Sequence, residues 1–204
     1  MGVNMPRTIV LLHGFAASGT GHSFKAAVLQ SLYPHATILR PTIRYQDADW
    51  LDVLERVVLD AGEPVTLVGT SLGGFAAFLL AMKLDLPAVL VNPSLEPWEN
   101  TRRLLGLQAN RDNGEVLDWT HAHLQRLRQM RESVVVRPET CSRMMVLIGT
   151  QDSVVSPIQT QSILKEYGIP WLEFPDGHRF QESFAPAMHI VDVKNLFQKE
   201  AITI

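Results

Sequence analysis

The chain has 204 residues, of which 46% are hydrophobic and 19% charged, with a net charge of -3; this is enough apolar mass for the core of one domain spanning residues 1–204, and it leaves no basic block to hold nucleic acid. One cysteine, Cys141, excludes an internal disulfide framework and fits a reducing compartment. No charged and apolar leader opens the chain, Pro6 stands where a myristoylation site needs Ser or Thr, and no apolar run approaches the ~18–20 residues of a membrane span, so a soluble cytoplasmic protein is expected.

Thr8-Ile9-Val10-Leu11-Leu12 is a continuous apolar run, the pattern of a strand buried on both faces. It ends in His13-Gly14-Phe15 and a loop of small residues through Gly21. Phe24, Ala27, Val28, Ser31 and Leu32 then recur at helical spacing, and Thr37-Ile38-Leu39 is a short strand closed by Pro41. Asp49 is placed to cap the next helix, with Asp52 at its N3 position. Leu51, Leu54, Val57, Val58 and Ala61 form that helix's apolar stripe, and Gly62 ends it. The apolar run from Val65 to Val68 stops at Gly69-Thr70-Ser71-Leu72-Gly73 and turns into an Ala- and Leu-rich helix former. Ala88-Val89-Leu90-Val91 is a further strand, ending at Asn92-Pro93.

Residues 94 to about 142 break the rhythm. They hold Trp98, Trp119 and a polar Asn110-Arg111-Asp112-Asn113-Gly114 turn, and two or three helices are expected there. The stretch is too long for an ordinary crossover, so part of it should lie over the sheet edge as a small helical cap. Arg126, Arg128 and Arg131 read as a solvated helix face. Alternation resumes with the strand Met144–Ile148, which ends at Gly149-Thr150-Gln151-Asp152. A helix from about Pro157 to Tyr167, the strand Trp171–Phe174, the segment Pro175-Asp176-Gly177-His178 and a helix over roughly Pro186 to Lys199 complete the chain. Strands alternating with helices predict an α/β fold of about six mainly parallel strands with helices on both faces. Ligands of such sheets bind at the C-terminal ends of the strands.

Those ends carry the chemistry. In Gly-x-Ser-x-Gly the glycines let strand and helix cross closely, so that Ser71 can be held at the apex of a strained turn. The new helix aims its positive end at the same place. A serine hydroxyl is a poor nucleophile until a base takes its proton, and His178, after the last strand, can do so near neutral pH. A carboxylate on the far ring nitrogen fixes the tautomer, and Asp152 is the candidate. Glu96 also follows a strand and is the alternative acid. The negative oxygen that develops on an attacked carbonyl needs donors; the backbone N–H groups of Leu72 and Phe15 are the candidate oxyanion hole.

The order Ser, Asp, His resembles the α/β-hydrolase superfamily, and more closely the small bacterial esterases of the YqiA type. The resemblance rests on Leu12-His13-Gly14-Phe15, Gly69-Thr70-Ser71-Leu72-Gly73-Gly74, Asn92-Pro93 followed by Pro97, the Gly149 to Asp152 segment, and Gly177-His178-Arg179-Phe180. It implies a minimal α/β-hydrolase with Ser71 as nucleophile, Asp152 as acid and His178 as base. The chain departs from the pattern at Glu96, an acid where a basic residue is expected. The early start of the first strand suggests that the leading antiparallel strands of larger relatives are absent.

Other candidates read as structural. His13 should buttress its loop, and Asp176, two residues before His178, should shape its own. His121 and His123 are spaced i, i+2 and cannot face one metal from a helix. The Gly14–Ser23 stretch lacks the Gly-Lys-Ser/Thr ending of a phosphate loop, and Phe24 follows Gly19-x-Gly21 where a dinucleotide site wants a third small residue. Cys141 reads as a packed residue. No metal or cofactor is expected. The function expected is a serine hydrolase of carboxylic esters or thioesters with small to medium acyl groups, acting on a small-molecule acyl ester, with Trp98 and Trp119 as an apolar substrate wall. A peptidase on the same triad, or a non-catalytic protein that uses the pocket for binding alone, is the alternative. No sequence feature specifies the natural substrate or an oligomeric state.

Overall fold

The computed structural model describes residues 7–62 and 64–193. In chain order the first part comprises β1 (Thr8–Leu12), α1 (Phe24–Leu32), β2 (Thr37–Leu39), α2 (Trp50–Asp60), β3 (Val65–Thr70), α3 (Leu72–Leu84) and β4 (Ala88–Val91). An insertion follows, with α4 (Pro97–Asn100), a 3₁₀ turn at Arg102–Leu104, β5 (Gly106–Ala109), β6 (Val116–Trp119), α5 (His121–Ser133) and α6 (Pro138–Cys141). The chain then closes with β7 (Met144–Gly149), α7 (Pro157–Tyr167), β8 (Trp171–Phe174) and α8 (Phe184–Val193). The final helix expected to reach Lys199 is seen as far as Val193, and its remainder lies outside the described residues.

Six strands form one sheet in the order β2-β1-β3-β4-β7-β8, and every neighbouring pair is parallel. The continuous apolar runs exist because both faces are covered. Val10, Leu12, Leu67, Leu90, Val146 and Ile148 face a core shared with α2, α3, α5 and α7. Their alternates Ile9, Leu11, Val68, Val89, Val91, Met145 and Leu147 face a second core with Leu29 of α1 and Phe184, Ala187, Met188 and Val191 of α8. Helix α3 carries no polar stripe because every residue from Leu72 to Met82 is buried. That explains its run of Ala, Leu and Phe.

Helix starts are set locally. Ser23 Oγ accepts from Ala26 N at 3.2 Å to cap α1, and Ser156 Oγ accepts from Gln159 N at 3.3 Å beside Pro157 to cap α7. The expected Asp49 cap is not made. Its ψ of 14° keeps the residue out of the extended region, and its side chain makes no capping bond. Helix α2 is anchored instead by burial of Trp50, Leu54 and Val58.

The insertion holds the expected helices, α4, α5 and α6, and adds an element that was not expected. Its centre is an antiparallel hairpin, with Gly106 paired to Trp119 and Ala109 to Val116. Gly106 enters it at a φ of 98°, and the tip is closed by Asn110 N donating to Glu115 O at 2.7 Å. Two side-chain oxygens wind the tip: Asn110 Oδ1 accepts from Asp112 N at 2.9 Å, and Asn113 Oδ1 from Glu115 N at 3.0 Å. Strands of four residues with little buried surface show no period-2 pattern, and so the sequence did not announce them.

Candidate active site

The turn after β3 has the strain that its sequence implies. Ser71 sits at φ 57°, ψ -120°, a region that L-residues occupy only when their surroundings force it. The forcing is visible in two glycines. A Cβ on Gly69 would lie 2.1 Å from Gly73 O, and one on Gly73 would lie 2.3 Å from Leu12 O. Neither position therefore admits a side chain, and α3 packs directly on the end of β1. The ladder continues one residue past β3, because Ser71 N donates to Val91 O at 3.0 Å. Gly14 packs over the serine, its would-be Cβ 3.3 Å from Ser71 Cβ.

The two candidate backbone donors, of Leu72 and Phe15, belong to α3 and to the loop after Gly14, which packs over Ser71. Leu72 is the first residue of α3, so its N–H has no acceptor within the helix. Among the described residues, the Phe15 N–H has no acceptor either. Its direction is fixed by the peptide plane, since a trans N–H points opposite to the preceding carbonyl. That carbonyl, Gly14 O, is bonded to His13 Nδ1 at 2.8 Å. His13 Nε2 accepts from Ile43 N at 2.8 Å, so Nδ1 carries the hydrogen and the ring is neutral. Tyr45 OH donates to His13 O at 2.6 Å and completes the brace.

His13 thus has the buttressing place expected of it. Burial, with the charges of Arg40 and Arg111 acting in the same direction, outweighs the bond to Gly14 O and the charge of Asp112 and holds its pKa below the ordinary 6.5. A depressed folded pKa means that the unfolded chain binds more protons just below pH 6.5. Stability from this site is therefore complete above about 6.5 and is lost as pH falls through the folded value. We expect thermal melts at descending pH to show this loss in the parent and a shallower dependence in His13→Gln. Equal slopes in the two proteins would contradict it.

Asp152 and His178 meet as a pair, with Asp152 Oδ2 2.8 Å from His178 Nδ1. The acid is almost wholly buried, its side chain 2% exposed, whereas that of His178 is 22% exposed. Asp152 Oδ1 accepts from Val154 N at 2.7 Å and from Val155 N at 2.9 Å, which fixes the carboxylate plane. An ionised carboxylate only accepts, so Nδ1 of His178 carries the hydrogen and Nε2 is left free as a base. Glu96, the alternative acid, is engaged elsewhere, with Gln159 Nε2 donating to it. Asp176 shapes its loop, accepting from Gly177 N and Ser183 N at 2.7 and 2.8 Å.

The strand order puts β4 between β3, which bears Ser71, and β7, which bears Asp152. Asn92, at the end of β4, is the residue that sequence reasoning missed. It is buried and takes a φ of 43°. Its Nδ2 donates to Gly177 O at 3.0 Å and His178 O at 3.2 Å, and its Oδ1 accepts from Gly149 N at 2.7 Å. One carboxamide thereby draws the His178 loop back across β7 to the tip of β4, beside the end of β3. An Asn-Pro directly after an apolar strand was the available signal. Lys25, on α1, was also missed. Its Nζ donates to Arg179 O at 2.5 Å next to His178, and burial lowers its pKa to about 8.

The two tryptophans part company. Trp98 is half-buried on α4 against the main core. Trp119 is 1% exposed and packs edge-on against Phe15 at 4.9 Å, with its other side stacked on His123 at 4.7 Å. It lies under the Phe15 loop and has almost no surface left to offer a substrate. His123 is occupied as well, its Nδ1 accepting from Thr120 N at 2.9 Å as part of a capping box. A cleft between the Phe15 loop and the hairpin is lined by Ile43, Tyr45, Asn110, Glu115 and Leu117. Among the described residues no helix is long and apolar enough to cross a membrane.

A six-stranded parallel sheet with a serine on a strained strand-to-helix turn, and an Asp–His pair on the same edge, defines the α/β-hydrolase fold. Over residues 8–195 the chain matches the Uncharacterised protein family (UPF0227), and it belongs to that family. It is 30% identical over 96 residues to UPF0227 protein YcfP of Escherichia coli, a match covering 45% of this chain and 53% of that protein. The chain thus spans about half the length of the curated relatives it matches. Among solved structures it is similar to the metagenome-derived lipolytic enzymes LipS and LipT, with a TM-score of 0.68 at 15% identity over 95% of this chain and 94% of the other. It is also similar to Est1E from Butyrivibrio proteoclasticus, with a TM-score of 0.65 at 19% identity over 95% and 89%.

Proposed function

We propose that the protein is a cytoplasmic serine hydrolase that cleaves carboxylic esters or thioesters of small to medium acyl groups through an acyl-Ser71 intermediate. The observation that carries this reading is the 2.8 Å Asp152–His178 pair on the sheet edge that also bears the strained Ser71. The lipolytic enzymes named above share the fold and add support. In the reaction, His178 Nε2 takes the Ser71 proton as Oγ attacks the substrate carbonyl. The carbonyl oxygen becomes an oxyanion facing the N–H groups of Phe15 and Leu72. Asp152 stabilises the imidazolium. The tetrahedral species collapses, the C–O or C–S bond breaks, and His178 returns the proton to the departing alcohol or thiol. Water, deprotonated by His178, then releases the acid and restores Ser71. The groups supplied are all the chain's own.

A panel of p-nitrophenyl esters and acyl-CoAs of graded chain length tests this. The insertion is small, so kcat/KM should peak at short to medium chains. Each methylene that finds an apolar contact adds up to ~0.8 kcal/mol, and the gain should stop where the contact ends. Turnover that rises steadily into long-chain substrates, or none across the panel, would overturn the substrate class.

A further inference from the structure

The tip of the insertion's hairpin reaches back more than ninety residues to the loop that carries Phe15, and it meets that loop as a set of hydrogen bonds. Arg111 N donates to Ala16 O at 3.0 Å, and Asn110 Nδ2 to Ala17 O at 3.0 Å. Arg111 Nη2 donates to Phe15 O at 3.2 Å, and Asp112 Oδ2 accepts from Ser18 N at 2.6 Å. Three consecutive carbonyls and the next amide are thus satisfied by three consecutive residues of the tip. The loop needs such support. Ala16 has a φ of 50°, a conformation that a residue with a side chain holds only when its surroundings insist.

We infer that Arg111 and Asp112 are positioning residues for the oxyanion hole, fixing the Phe15 N–H from the side that His13 does not reach. This rests on the proposed function, in which that N–H receives the developing charge. The division of labour follows from the peptide planes. His13 sets the plane before Phe15 through Gly14 O, and the hairpin sets the planes after it through the carbonyls of Phe15, Ala16 and Ala17. Trp119, at the base of the same hairpin, supports the Phe15 ring from beneath. The insertion therefore acts on the rate of the chemical step as well as on what enters the site. A preorganised donor is effective only where the oxyanion will form, and a misplacement of about 1 Å can cost on the order of 100-fold.

Arg111 and Asp112 are exposed, so their replacement leaves the core intact. The test compares the parent, Arg111→Ala/Asp112→Ala and Asp112→Asn in ester hydrolysis and in binding of butylboronic acid, which forms a tetrahedral anionic adduct with an active serine. In the double variant kcat should fall roughly 10- to 100-fold with KM within about threefold of the parent. Boronate affinity should fall in parallel with kcat/KM, because both depend on the tetrahedral oxyanion. Asp112→Asn, which keeps an acceptor for Ser18 N, should recover most of the rate. A double variant within about twofold of the parent in kcat and boronate affinity would overturn the inference while leaving the serine mechanism standing. So would a loss of kcat with unchanged boronate affinity. A parent that neither hydrolyses esters nor binds the boronate would remove the mechanism, and this inference with it.

Discussion

Asp152→Asn is expected to lower kcat by on the order of 10⁴-fold while leaving the protein folded. The hydrogen-bond pattern dictates why. Val154 N and Val155 N both donate to Oδ1, so an asparagine must place its carbonyl oxygen there. Its NH₂ group then faces His178 Nδ1, where the carboxylate oxygen stood at 2.8 Å. The NH₂ only donates, which forces Nδ1 to accept and moves the ring hydrogen to Nε2. In that tautomer His178 cannot take a proton from Ser71. Glu96→Gln should change kcat little, because Glu96 pairs with Gln159 on the surface. Steady-state kinetics beside thermal melts decide the matter. A nearly unchanged Asp152→Asn together with an inactive Glu96→Gln would reassign the acid.

Trp119→Ala should cost about 3–5 kcal/mol of stability, the usual range for emptying a fully buried large aromatic site. The ring is wedged between Phe15 and His123 and is closed to solvent, so its removal undermines the Phe15 loop and the start of α5 together. The expected result is a lower melting temperature and a lower kcat, with the preference among acyl chain lengths unchanged. Trp98→Ala, at a half-buried position against the main core, should lower the melting temperature less than Trp119→Ala does, and should shift the chain-length profile. An altered profile with an unchanged melting temperature in Trp119→Ala would make that residue a substrate wall after all.

Much of this was legible in the residues, for identifiable reasons. The β1, β3, β4 and β7 runs read correctly because a strand buried on both faces must be apolar throughout. The Gly69-Thr70-Ser71-Leu72-Gly73 turn read correctly because the requirement for missing side chains at Gly69 and Gly73 is steric and local. Pairing Asp152 with His178 needed only the rule that loops after parallel strands meet at one edge. What stayed hidden depends on tertiary context. Asn92 looks like a turn residue until the loops of β7 and β8 arrive around it. The hairpin hid because its strands are short and Leu107 and Val116 are exposed, so no burial pattern marked them. Asp49 had the right type for a cap, but with its ψ at 14° its side chain makes no capping bond. Trp119 looked like a substrate residue because a tryptophan in a polar stretch signals a contact; the contact is with Phe15.

The central claim is that Ser71 forms the covalent bond to substrate, and intact-mass analysis after treatment with a fluorophosphonate tests it most directly. The account predicts a single phosphonyl adduct on the parent and none on Ser71→Ala under the same conditions. An unlabelled parent, or an adduct that persists in Ser71→Ala, would contradict it.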